Sequence, residues 1–126
     1  MCGLIWLIQL VHYPSFSFID QDRYREFQRF HMFKIAWIVF PIMTVELASG
    51  ALLLAKHPGL TWSVNLGLLT LIWLSTAFIQ TPIHSKLERG FDAQLIRTLV
   101  RGNWLRTALW TVRSILVSIS LTSALT

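Results

Sequence analysis

The residues able to do chemistry in this 126-residue chain gather where its apolar runs meet charged segments. Thr81-Pro82-Ile83-His84 closes one apolar run, and Arg101-Gly102-Asn103-Trp104-Leu105-Arg106 opens the next. His12 and His31 stand at similar junctions earlier in the chain. Imidazole titrates near neutral pH and is the commonest metal ligand. His31, His84, Asn103 and Arg106 therefore form the candidate catalytic set, and His12, His31 and His84 the candidate cofactor ligands. Two readings of the histidines stay open. They share a metal, a haem or the magnesium of a chlorophyll-type pigment, or they cap helix ends and bond to backbone carbonyls. The spacing selects no particular metal, because no helix carries a His-x-x-x-His or Glu-x-x-His pair. There is also no Ser-His-Asp arrangement, Gly-rich phosphate loop or carboxylate pair, which argues against hydrolase and kinase chemistry.

The elements that must position these residues are apolar. Hydrophobic residues make up 54% of the chain, charged residues only 13%, and the mean hydropathy is +0.56. Soluble domains carry about 25% charged residues, and a core of this size cannot hide so many apolar side chains. The composition predicts one all-α integral membrane domain over residues 1–126, an up-down four-helix bundle with spans near 1–18, 31–55, 60–80 and 103–125. Spanning takes ~20 apolar residues, so the first run is barely long enough. Pro14 is expected to end or kink it, and Pro41 to kink the second. Lys56-His57-Pro58-Gly59 is a turn.

The segments between spans read as short cytoplasmic interfacial helices. In the first, Tyr24, Phe27 and His31 repeat at helical spacing and continue into the second span. In the second, Ser85 and Glu88 have capping-box spacing, while Asp92 to Arg101 is amphipathic with Gly102 as its stop. Inside the bundle, Asn65, Trp73, Thr76 and Gln80 form a polar stripe on the third span, and Asn103, Arg106, Trp110 and Arg113 share one face of the fourth. Trp73 and Trp110 are deep enough to line a cavity for a flat ligand. Glu46 and Arg113 lie within about a turn of the same depth, so they are expected to form a buried ion pair. A relay through the two is the competing reading.

Charge orients the bundle. Arg23, Arg25, Arg29, Lys34, Lys86, Arg89, Arg97, Arg101 and Arg106 fall on one side, and Lys56 stands alone on the other. The positive-inside rule makes the first side cytoplasmic. The expectation is a multi-pass protein of the bacterial inner (cytoplasmic) membrane with both termini periplasmic. The net charge of +5 then reports topology rather than a nucleic-acid partner, since no basic stripe is interleaved with exposed aromatics. Cys2, the single cysteine, permits no intrachain disulfide. Met1 to Ile19 lacks the basic start and cleavage site of a signal peptide, so the first run is expected to be retained.

These residues resemble a family of small four-span membrane proteins that includes the anthrone oxygenases. In that family the third span ends in Pro-Leu-Asn and the fourth opens with Asn-x-x-Arg; here the positions read Pro82-Ile83-His84 and Asn103-Trp104-Leu105-Arg106. Pro14 matches a proline near the end of the first span, and Gln28-Arg29-Phe30-His31 matches Gln-x-x-Asn at the start of the second. At positions 31 and 84 the family asparagine is histidine. The resemblance implies an oxygenase or redox enzyme acting on an apolar aromatic or quinone-like substrate. The competing class is a non-catalytic accessory subunit, packed in the lipid bilayer against other membrane subunits and holding haem or pigment. Under either, His12, His31, His84, Asn103 and Arg106 are expected to line one cytoplasm-facing pocket, with Gln9, Tyr13 and Gln28 supplying further hydrogen bonds.

Overall fold

The computed structural model describes residues 1–125; Thr126, the last residue of the expected domain, lies outside them. Among the described residues the chain is all-helical, with no strand. The helical segments form four runs joined by short turns. We label them α1 (residues 2–18), α2 (Tyr24–Lys56), α3 (Leu60–Leu87) and α4 (Ala93–Leu125). Helix α3 packs against both α2 and α4, and α1 packs against α4.

Two of the runs contain a turn of wider helix. In α1 a π turn spans Ile8–His12 and is followed by the short helix Tyr13–Ser15. In α3 a π turn spans Thr76–Gln80 and is followed by Thr81–Leu87. Each turn ends two residues before a proline, Pro14 in one case and Pro82 in the other. Proline has no N–H to give the carbonyl four residues back, and its ring crowds that carbonyl. Widening the preceding turn removes the conflict, which explains why neither proline stops its helix. The Thr81 hydroxyl donates to the Thr76 carbonyl (3.0 Å), occupying a group the re-registered backbone leaves free. Pro14, expected to end or kink the first run, instead sits inside a helical run that continues as a 3-10 turn through Phe18.

Other sequence expectations are corrected at helix boundaries. Ser85 and Glu88 do not open a helix: α3 runs on to Leu87, and Gly90 at φ 151° ends it by a route an L side chain rarely takes. Gly102 does not stop a helix either. It lies inside α4, where an added Cβ would come 3.2 Å from Ile79 Cγ2 and 3.7 Å from Gln80 Nε2. Its small size lets α4 approach the π turn of α3. The separate interfacial helices are therefore absent among the described residues, because both charged segments fuse with the apolar helices that follow them. Helix α4 starts at a true cap, the Asp92 carboxylate accepting from the amides of Gln94 (2.8 Å) and Leu95 (3.0 Å). Helix α2 continues through Pro41 and ends at Lys56.

Two of the runs, α2 and α3, are long and apolar enough to cross a membrane. Only 11% of the most apolar window of α2, and 22% of that of α3, is buried within the chain. The core helix of a water-soluble domain would be mostly covered. Phe33, Trp37, Phe40 and Val45 instead stand outward on α2, Trp37 at 70% exposure. What the chain buries is unusually polar: Gln9, Gln28, His31, Asn65, Gln80, His84, Asn103, Arg106, Thr107 and Arg113 all point inward.

Candidate functional site

At the end of the structure where α1 and α3 terminate, side chains from all four runs meet. Tyr13 and Gln28 flank His84: the Gln28 amide Nε2 lies 2.9 Å from His84 Nδ1, and His84 Nε2 lies 3.1 Å from the Tyr13 hydroxyl. The Gln28 amide also reaches toward the His84 carbonyl at 3.5 Å, which orients its NH2 toward the ring. Nδ1 of His84 is then the acceptor, Nε2 carries the proton, and Nε2–H donates to Tyr13. His12 and His31 make a second contact, Nε2 to Nδ1 at 2.9 Å. Phe16, absent from the sequence-derived set, is the hub of the cluster. It is fully buried and makes edge contacts with His12 (5.3 Å), His31 (4.9 Å) and Phe27 (5.1 Å) between ring centroids.

A second network ties α1 to α4. Gln9 Oε1 accepts from Asn103 Nδ2 (2.9 Å) and from the Thr107 hydroxyl (3.3 Å), and Gln9 Nε2 donates to the Val100 carbonyl (3.1 Å). Every polar atom of this buried amide is used. Asn103 Oδ1 in turn accepts from Arg106 Nη1 at 3.1 Å. Thr107 was legible in principle, one turn beyond Asn103 on the same face, but hydroxyls are common in apolar helices and nothing in its spacing marks it.

The two networks border a cavity of about 190 Å³ between α2 and α3. That is several times the ~30 Å³ share of a liquid water, so the space suits an organic molecule. Ile35, Val39, Phe40 and Trp73 form its apolar wall; Tyr13, Gln80, His84 and Arg106 form its polar end. Phe40 and Trp73 meet edge to face across the gap between the helices, 5.8 Å between centroids.

The expected site residues thus divide. His84 and Arg106 reach the cavity, whereas His12, His31 and Asn103 stand behind it as supports. Trp73 lines it, and Trp110 does not. Trp110 is buried beneath the Arg113 guanidinium, 5.4 Å from its ring centre. Arg113 also pairs with the Glu46 carboxylate, and Glu46 lies 3.3 Å from the Met1 amino group. The three histidines bond or pack ring to ring, His31 and His84 at 5.3 Å, instead of aiming nitrogens at a common centre. Among the described residues no group of three or more His, Cys, Asp or Glu has metal-holding geometry, so the ligand set expected from His12, His31 and His84 does not fit a metal ion.

Comparison with protein families, curated proteins and solved structures finds no match. The site's geometry alone carries the functional reading.

Proposed function

We propose that the chain is a four-span protein of the bacterial inner membrane, both termini periplasmic, and that its cavity is the site of an enzyme acting on an apolar aromatic or quinone-like substrate. The observation that carries the enzyme reading is the joining of one cavity to two buried hydrogen-bond networks. An apolar wall open between α2 and α3 suits a substrate dissolved in the bilayer, and a polar end holding Tyr13, His84 and Arg106 suits reaction at a ring oxygen or its neighbouring carbon. The membrane reading is supported by the scant burial of the apolar windows of α2 and α3. The orientation is supported by nine basic residues on one side against Lys56 on the other.

The reaction class that fits is oxygenation of an activated ring methylene. The ring CH2 and one O2 give a ring carbonyl and one water. The substrate supplies the electrons and dioxygen, which concentrates in lipid, takes them. A base must first take a proton from the ring carbon; the lone pair of His84 is on Nδ1, so His84 takes that proton once the Gln28 amide turns aside.

The test is incubation of the purified protein in nanodiscs with anthrone, following oxygen uptake and quinone formation. Turnover above the uncatalysed rate, lost in His84→Ala, is expected. A protein that turns nothing over and co-purifies stoichiometrically with other membrane subunits is instead the non-catalytic accessory subunit.

A further inference from the structure

Arg106 is a buried cation with no counter-charge among the described residues. It is 3% exposed, and its Nε has no hydrogen-bond partner. One Nη donates to the neutral Asn103 amide, and the other lies 4.0 Å from the Met43 sulfur, a weak acceptor. The chain has six side-chain carboxylates, all among the described residues. Glu46 is engaged by Arg113. Asp20, Asp22, Glu26 and Asp92 are exposed near the helix ends, and Glu88 follows the end of α3. None pairs with Arg106, since the ion pairs among the described residues all involve other cations. A charge held in an apolar setting with no partner is costly. Arg113, about two turns further along the same face of α4, has both a carboxylate and an aromatic face against its guanidinium.

The Tyr13 hydroxyl is the second donor. Its oxygen accepts from His84 Nε2–H and is a neighbour of the Arg106 guanidinium. Accepting from His84 leaves the hydroxyl's own proton to donate, and Tyr13 borders the same cavity as Arg106. Gln28, by fixing the proton on His84 Nε2, sets the direction of the whole chain of donors. Four groups from four helices, Gln28, His84, Tyr13 and Arg106, therefore end in two hydrogen-bond donors, one of them cationic, at the polar end of an otherwise apolar cavity.

We infer that the cavity selects molecules with an apolar ring body and a single anionic oxygen group, a ring enolate, phenolate or carboxylate, which Arg106 and Tyr13 bind together. This rests on the cavity being the substrate site. It narrows the substrate class from neutral aromatic and quinone molecules to those that carry a negative charge when bound. A planar oxyanion also uses the fork geometry of arginine, which lysine does not reproduce.

The experiment compares two bicyclic probes of nearly equal shape, 2-naphthoate (ionised at neutral pH) and the neutral 2-naphthamide, by quenching of tryptophan fluorescence with the protein in nanodiscs of uncharged lipid. Protein-free nanodiscs give the partition of each probe into lipid. Naphthoate is expected to bind at least tenfold tighter than naphthamide after that correction. Arg106→Gln should remove the preference, and Tyr13→Phe should weaken naphthoate several-fold. Equal binding of the two probes to the unaltered protein overturns the anion inference and leaves the cavity as a binding site. Binding of neither probe overturns both. The comparison in the unaltered protein decides the matter even where a variant does not fold.

Discussion

Gln28 Nε2 lies 2.9 Å from His84 Nδ1, and this one contact assigns the protonated nitrogen of a buried histidine. The expected tautomer is Nε2–H. Nitrogen-15 NMR of His84-labelled protein should show Nδ1 as the unprotonated nitrogen. In Gln28→Leu the tautomers should mix, since nothing then holds Nδ1 as an acceptor. An Nδ1–H form in the unaltered protein would reverse the donor order at Tyr13.

Removing the Tyr13 hydroxyl leaves His84 Nε2–H buried without its acceptor. Tyr13→Phe should destabilise the fold by about 1–3 kcal/mol, the cost of an unsatisfied buried donor. Thermal unfolding in detergent would register it, and a change indistinguishable from zero would mean that the two groups do not bond.

Glu46 and Arg113 are expected to be coupled. Glu46→Gln alone should destabilise, and Glu46→Gln combined with Arg113→Gln should recover part of that loss, with a coupling energy of about 0.5–3 kcal/mol. A double-mutant cycle of unfolding free energies measures it. Strict additivity would count against the pair.

Gly50 sits where α2 and α3 approach closely. A Cβ there would come 2.5 Å from Leu69 Cδ1 and 3.0 Å from Asn65 Nδ2, whereas at Gly67 it would meet nothing within 4 Å. Gly67→Ala should be neutral or stabilising by up to about 1 kcal/mol, the helix-propensity difference. Gly50→Ala should lose that gain and about 1–3 kcal/mol more through overpacking. Equal melting temperatures for the two variants would show that Leu69 yields freely.

The proposed topology is tested by fusions after the last residue and within the Arg89–Asp92 turn. Alkaline phosphatase should be active at the first place and silent at the second, and a fluorescent protein the reverse. The opposite pattern would invert the bundle.

Much of the site was legible in the sequence because residues of similar type recur at similar junctions. His12, His31 and His84 were found this way, and antiparallel connectivity brings such junctions to one end. Tyr13 and Gln28 stand at the same junctions, next to His12 and three residues before His31. The sorting of these residues into cavity-lining and supporting groups was not legible, because it depends on which side of a helix faces the α2–α3 gap. Phe16 was missed since an aromatic after a proline in an apolar run carries no chemical signal, although its ring organises three imidazoles. Helix ends misled most. Pro14, Ser85 and Gly102 all have local stop or start signals, and packing overrode each: wide turns accommodated the prolines, and close contact with Ile79 and Gln80 gave Gly102 a different purpose.

The paired π turns bear on how this chain can change. Each inserts one residue beyond the ordinary count, so everything after it is rotated by roughly 100° relative to the helix before it. Tyr13 follows one such step and His84 the other. The half of each helix in the middle of the molecule and the half at the site therefore keep separate angular phases. A one-residue deletion within 8–12 or 76–80 would leave the interior packing in place and swing Tyr13 or His84 away from its partners. A compensating insertion in the same turn would bring it back. The site can thus be re-aimed by changes in residue number alone, with every side chain that forms it unaltered.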